Sequence, residues 1–233
     1  MKGRMHLDIA LLLFENFSAL DAISPYEALV HLPGVNLQLV AKTPGQIQVD
    51  TGMWESVAAI QFGSVPSPDV LILPGGPGTP TVLQDQETLS WVRNAHASAQ
   101  RTFTICSGSL ILAATGALQG LDATTTWFNR EHLAAFGANY IAKPYVQQGK
   151  IIMAAGSPAT DATLVLIHQL FGEEYAQAAQ LMLEYDPQPP FDTGSITRAS
   201  PQLMDFVMSK IFEPEGARLQ ERLEQKRRKE RHE

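Results

Sequence analysis

Residues 101–116, RTFTICSGSLILAATG, constrain the fold more tightly than any other stretch of the chain. Residues 102–105 have the β-branched and aromatic make-up of a short strand. Residues 110–114 are apolar helix formers, with Gly116 placed to end the helix. So little chain lies between them that the strand must turn at Cys106 straight into the helix. Cys106 is also the only cysteine in 233 residues. A thiol on such a turn occupies the place where a nucleophile elbow exposes its attacking atom above a sheet. The small Ser107, Gly108 and Ser109 suit a tight turn and close helix packing. The inert alternative is a buried apolar cysteine, a common fate of free thiols. Against it stands the helix N-terminus, whose unpaired N–H groups and dipole favour a reactive thiolate.

The rest of the chain supplies a sheet for that turn. Residues 7–14 (LDIALLLF) and 69–73 (DVLIL) are nearly continuous apolar runs, as expected of strands covered on both faces, whereas residues 35–40 alternate. Ser24 before Pro25 is expected to cap a helix that runs to Leu32, with Glu27 at the capping-box position and Pro33-Gly34 as its stop. Residues 47–62 suggest an extended excursion or hairpin. Residues 86–99 are helical, with Leu89, Val92 and Ala95 on one face. Then come a short strand at 123–126, a helix at 130–136 and an edge hairpin within 140–154 that turns at Gln148-Gly149-Lys150. Two helices follow, at 158–171 and 173–185. This alternation predicts an α/β fold: a mostly parallel central sheet with helices on both faces. Ligands of such folds bind outside the carboxyl ends of the strands. The loops after residues 14, 73 and 105 should therefore meet on one rim.

Residues 1–212 are expected to form one domain and 213–233 a charged tail, helical or disordered. The tail holds 7 of the 17 Lys and Arg and 6 of the 24 Asp and Glu, which leaves the body with ten basic and eighteen acidic side chains. An acidic body argues against nucleic-acid binding, which depends on phosphate neutralisation. The tail is also too short for a helix-turn-helix module. A single cysteine excludes an internal disulfide framework and makes a reducing cytoplasm the default compartment. No apolar stretch is long enough to predict a membrane span. The basic, apolar N-terminus is interrupted by Asp8 and suggests a buried strand better than a signal peptide. Six scattered histidines lack metal-ligand spacing, and His132, nearest to the elbow in sequence, falls on a predicted helix. Neither phosphate-loop spacing occurs around Gly75-Gly76, so neither a metal nor a cofactor is expected.

Two further features bear on chemistry. Gly75-Gly76 is either a flexible turn or an oxyanion site, because glycines let backbone N–H groups approach a developing anion. Asp21 is either a helix-capping carboxylate or an acid over the elbow. In the second case burial beside the thiol would raise its pKa toward neutrality. Glu15 and Glu27 compete for that role.

Together these motifs resemble the ThiJ/PfpI superfamily, which has the flavodoxin-like sandwich of class I glutamine amidotransferases. The resemblance spans residues 7–193. It rests on Leu20-Asp21 with Pro25, on Ile72-Leu73-Pro74-Gly75-Gly76, and on Ile105-Cys106-Ser107-Gly108-Ser109-Leu110. The segments AATGALQG (113–120) and ATT (123–125) with Trp127 also match. Residues 181–191, LMLEYDPQPPF, are similar to a segment of the isocyanide (isonitrile) hydratase branch. The resemblance implies Cys106 as nucleophile, Asp21 as the carboxylic acid beside it, and backbone N–H groups near Gly75, Gly76 and Ser107 as charge stabilisers. It also implies a homodimer acting without a cofactor on a small neutral electrophile, an isocyanide becoming an N-substituted formamide. The Ser107 hydroxyl, where that branch usually has threonine, would hydrogen-bond the acid or the water. Thr126 stands where the family often has histidine, which argues against protease or amidase chemistry. Ser24-Pro25 replaces a Gly-Pro, and residues 156–161 replace a glycine-rich run, so the pocket wall is expected to differ. Alternatives are glyoxalase- or deglycase-like action on α-oxoaldehydes, and a non-catalytic ligand or redox sensor.

Overall fold

Strand β1 (Leu7–Leu12) sends Ile9 and Leu11 to one face and Ala10 and Leu12 to the other, and all four are buried in two separate apolar clusters. The continuous apolar run is therefore a strand with a helical layer on each side. The structure is a computed structural model that describes residues 6–212, so the charged tail and the expectation for it lie outside the described residues. After β1 come α1 (Ala19–Leu29), β2 (Val35–Ala41), β3 (Gly45–Gln48), β4 (Glu55–Ala58), β5 (Ile60–Gln61), β6 (Val70–Leu73) and the short α2 (Thr79–Val82). Next are α3 (Gln86–Ser98), β7 (Arg101–Ile105), α4 (Gly108–Ala114), β8 (Asp122–Ala123), α5 (Arg130–Ala135), β9 (Asn139–Tyr140), β10 (Tyr145–Gln148) and β11 (Ile151–Ala154). The described chain ends with α6 (Ala159–Phe171), α7 (Glu173–Met182), α8 (Pro201–Val207) and a π-helical turn, Met208–Phe212.

The central sheet has seven strands in the order β10-β11-β7-β6-β1-β2-β5, parallel throughout except for the β10–β11 hairpin. Val70 and Ile72 of β6 join the cluster beneath α1, α6 and α7, while Leu71 and Leu73 join the one beneath α3 and α4. This is the predicted fold class. The excursion expected at 47–62 overlaps the β3–β4 antiparallel hairpin, which starts earlier at Gly45, and Gln148-Gly149-Lys150 lies at the β10–β11 turn. Among the described residues no helix is long and apolar enough to cross a membrane.

Two local expectations are corrected. The first helix begins at Ala19, not after Ser24, because the neighbouring loop fixes its start: Ser18 N–H donates to the Gly75 carbonyl at 2.7 Å. Ser24 lies inside α1, where its Oγ bonds Thr160 Oγ1 of α6 at 2.8 Å. Pro25 is then an interior, buried proline. It leaves the Asp21 carbonyl without its usual N–H donor, a defect offset by packing. The strand expected at 123–126 is only β8, paired with β9 outside the main sheet. Thr124 and Thr125 leave it to bond the Lys143 and Cys106 carbonyls.

Candidate active site

Strands β1, β6 and β7 are parallel neighbours, so the loops that leave them meet on one rim. The first two loops are joined by backbone bonds. Asn16, in the left-handed region at φ 63°, offers its carbonyl to Gly78 N–H at 3.0 Å, and Ser18 N–H reaches Gly75 O. Gly75 N–H in turn donates to Asp21 Oδ2 at 3.0 Å. Asp21, in the first turn of α1 and only 3% exposed, is thereby held by the loop after β6.

The third loop is the elbow. Cys106 has φ 57°, a left-handed conformation that costs a non-glycine residue about 1–2 kcal/mol. Bonds on both sides hold it there: Cys106 N–H donates to Ala154 O at 2.9 Å, and Thr125 Oγ1 donates to Cys106 O at 2.8 Å. Gly75 is required by close approach, since a Cβ on it would collide with Ser107 N and come within 2.9 Å of Cys106 Cβ. Gly76 is required by its φ of 142° and by the carbonyl of Asn16, 2.5 Å from where its Cβ would stand. Its N–H donates to Ser107 Oγ at 3.0 Å, and that hydroxyl also bonds Thr79 Oγ1 at 2.8 Å.

Asp21 and Cys106 line the same end of one cavity and shift each other's titration. Burial raises the Asp21 carboxyl to about 6 despite the Gly75 N–H and the thiol, and the charge of Asp50 adds to the rise. Cys106 keeps partial exposure, yet burial, with the charge of Asp21 next, pushes its thiol up to about 12. Ser107 N–H faces the sulfur and counteracts this only in part. Desolvation and the charge of Asp21 thus act against the expected thiolate, and the N–H groups at the end of the short α4 act for it.

Above the pair opens a cavity of about 790 Å³ that is lined by Asp21, Cys106, Ser107 and Gly76 at its polar end. Leu83, Leu110, Phe128, Phe136 and Phe212 make the lining largely apolar. Phe128, just before α5, and Phe212, in the last described turn, pack with ring centroids 4.7 Å apart.

The five residues expected at the site thus lie together. Gly75 and Gly76 do so with their N–H groups engaged by Asp21 and Ser107, and the Ser107 hydroxyl bonds Gly76 and Thr79. Glu15 and Glu27 do not line the cavity: Glu15 accepts from Gln48 N–H and Glu27 faces His31 on the surface. Thr126 does line it, accepting from Asn129 Nδ2 at 2.9 Å, and His132 reaches its wall. Among the described residues no hydrogen bond joins His132 to Cys106, and no group of three or more His, Cys, Asp or Glu side chains could hold a metal ion. Sequence reasoning did not single out Thr79, Asp50, Phe128 or Phe212 for the site. Thr79 carried a weak signal, a hydroxyl next to the glycine loop, and the other three carried none.

A model of the DJ-1/PfpI family matches residues 8–168. The chain is 37% identical to a Pseudomonas putida protein named isonitrile hydratase over 202 residues, which is 86% of this chain and 88% of that one. The crystal structure of a ThiJ/PfpI family protein from Pseudomonas syringae is 33% identical and superposes with a TM-score of 0.83, covering 92% of this chain and 89% of that one. Drosophila melanogaster DJ-1beta, at 18% identity, shares the fold with a TM-score of 0.72 over 78% of this chain and all of its own.

Proposed function

The chain belongs to the DJ-1/PfpI family, and within it we propose that it is a cysteine-dependent hydratase that converts isocyanides to N-substituted formamides without a cofactor. The observation that carries the reading is buried Asp21 and partly exposed Cys106 together at the polar end of an apolar cavity. The extended likeness to the protein named isonitrile hydratase supports the choice of reaction.

In this mechanism ionised Asp21 takes the proton of Cys106 as Sγ attacks the terminal carbon of R–N≡C. It returns that proton to the same carbon, giving the thioimidate R–N=CH–S–Cys106. Asp21, ionised again, then draws a proton from water as the water oxygen attacks the carbon, and passes that proton to the nitrogen to give R–NH–CH(OH)–S–Cys106. Collapse breaks the C–S bond, releases R–NH–CHO and restores the thiol, with Asp21 carrying the hydroxyl proton to Sγ. A thiol pushed toward its neutral form suits this sequence, because the base and later acid lines the same end of the cavity. Ser107 N–H, facing the sulfur, stabilises charge there. Gly75 and Gly76 act through the groups they hold, Asp21 and the Ser107 hydroxyl. Leu20 and Ile23 of α1 and Trp54 and Val57 of the hairpin are exposed apolar residues fit for the interface of a homodimer, a state that light scattering reads directly.

The test is incubation of the purified protein with benzyl isocyanide, following formamide by liquid chromatography, with methylglyoxal loss measured in parallel. Formamide production that disappears in Cys106→Ala supports the reading. Methylglyoxal consumption without formamide replaces it with the α-oxoaldehyde reading.

A further inference from the structure

Asp50 lines the same cavity as the reacting pair, yet nothing in the proposed reaction uses it. It reaches the cavity from the β3–β4 hairpin, which is fastened to the loop after β1. Val49 bridges Phe17, and Asp50 N–H donates to Phe17 O at 2.9 Å. One carboxylate oxygen, Oδ1, accepts from Thr51 N–H at 2.8 Å, so the half-buried side chain has a fixed direction. Its charge is felt as far as Asp21. Neither lysine nor arginine lines the cavity, and His132 is the one lining side chain that can become cationic. A substrate therefore meets two carboxyl groups beside apolar walls, with no lysine or arginine to balance their charge.

We propose that Asp50 is a specificity-determining residue, a charge filter that admits neutral and cationic electrophiles carrying an apolar body and turns away those carrying a carboxylate or other anion. For the identity of the reacting group this rests on the hydratase reading; for the filter it does not. Under that reading the substrates are isocyanides with an uncharged or amine-bearing organic group. Under the alternative reading, aldehydes are taken and α-oxo acids are excluded.

The test uses Cys106, the only cysteine in the chain, as its own reporter. Full-length protein is treated with 2-(trimethylammonio)ethyl and with 2-sulfonatoethyl methanethiosulfonate. In each the cysteine sulfur displaces methanesulfinate and forms a disulfide, which intact-mass spectrometry times. The ratio of cationic to anionic rate cancels any change in thiol reactivity. Relative to 2-mercaptoethanol, wild type is expected to favour the cation about tenfold at low salt. Asp50→Asn should remove most of that preference and Asp50→Glu should keep it. Glu174→Gln, an exposed change of equal charge on α7, should leave it near the wild-type value. An unchanged ratio in Asp50→Asn overturns the filter, as does an equal shift in Glu174→Gln. In the second arm, 4-aminomethyl-, 4-methyl- and 4-carboxybenzyl isocyanide are compared, with the carboxylate expected to gain most in Asp50→Asn. If no isocyanide is hydrated, the hydratase reading fails while the reagent ratio still decides the role of Asp50.

Discussion

The polar end of the cavity and its apolar wall are built in opposite ways. At the polar end, Asp21, Gly75, Cys106 and Ser107 come from loops after three adjacent strands, and nearly every fixing bond involves a backbone atom. Apart from Leu110, buried in α4, the wall consists of partly exposed side chains, with Phe128 in a 3-10 turn and Phe212 in a π-helical one. Backbone-fixed groups cannot shift without disturbing the sheet beneath them, whereas an aromatic ring on a surface turn can be exchanged with little consequence for the fold. Chemistry belongs to the first region and the fit of the substrate's organic group to the second. Substitutions should separate the two.

The largest effect is expected at the polar end. Cys106→Ala should lower turnover by at least about a thousandfold with the fold retained, because the substituted atom makes the covalent bond and little of the packing. Asp21→Val should lower it by about 10² to 10⁴-fold, the usual contribution of a positioned acid–base group. In wild type, kcat/KM should rise about tenfold per pH unit below about 6 and then level off. Protonated Asp21, whose carboxyl sits at about 6, has no room for the Cys106 proton. This midpoint belongs to the coupled pair. A profile centred near 4, or one that falls as pH rises through 6, would remove Asp21 from the role of base.

Asp21 also carries a stability signature. The unfolded chain releases the Asp21 proton near 3.8 and the folded protein holds it to about 6. Between those values the native state binds more protons, so stability falls as pH rises and stays lower above the window. For a carboxyl only 3% exposed, that interval corresponds to about 3 kcal/mol. Asp21→Asn, which keeps an acceptor for Gly75 N–H, should therefore be more stable than wild type at pH 8 by an amount of this order. The difference should shrink toward zero near pH 4. Urea unfolding at the two pH values measures it, and an equal or less stable variant at pH 8 would show that the buried charge carries no such cost. Thr125→Val, which deprives the Cys106 carbonyl of its hydroxyl donor, should cost about 1–2 kcal/mol in the same experiment.

The contrast between the two regions also explains what the sequence disclosed. Apolar runs such as residues 7–14 and 69–73 announced a two-sided parallel sheet because side-chain period and burial are local properties. The strand-to-helix turn at Cys106 was equally local. Gly75 and Gly76 were legible because they follow directly from the end of a strand, whereas Asp21, in the first turn of α1, was singled out from Glu15 and Glu27 only by the resemblance. The upward push on the thiol was not, since a helix N-terminus is visible in sequence while the burial and the carboxylate that act against it are not. The start of α1 was misplaced for a related reason: Ser18 is fixed by Gly75, far away in the chain, and Ser24-Pro25 mimics a cap without being one. Asp50 and Phe212 reach the cavity only through tertiary packing, and no period or motif in their own segments marks them.

Phe212 gives the smallest effect and the sharpest test of the division. Its ring is 37% exposed and packs on Phe128, so Phe212→Ala removes a wall contact without opening the buried core. Stability should change by roughly 0.5 kcal/mol or less, as for surface substitutions generally. The cavity gains room at its apolar side and loses one face of contact for a large organic group. For a bulky isocyanide such as the naphthylmethyl compound, KM should rise by roughly 3–10-fold with kcat nearly unchanged, the sign of lost uniform binding. For ethyl isocyanide, too small to reach the wall, both constants should stay close to wild type. A fall in kcat for both substrates would mean that the last described turn supports the Asp21–Cys106 pair itself. The wall would then be part of the catalytic apparatus, and the separation of chemistry from substrate choice would not hold.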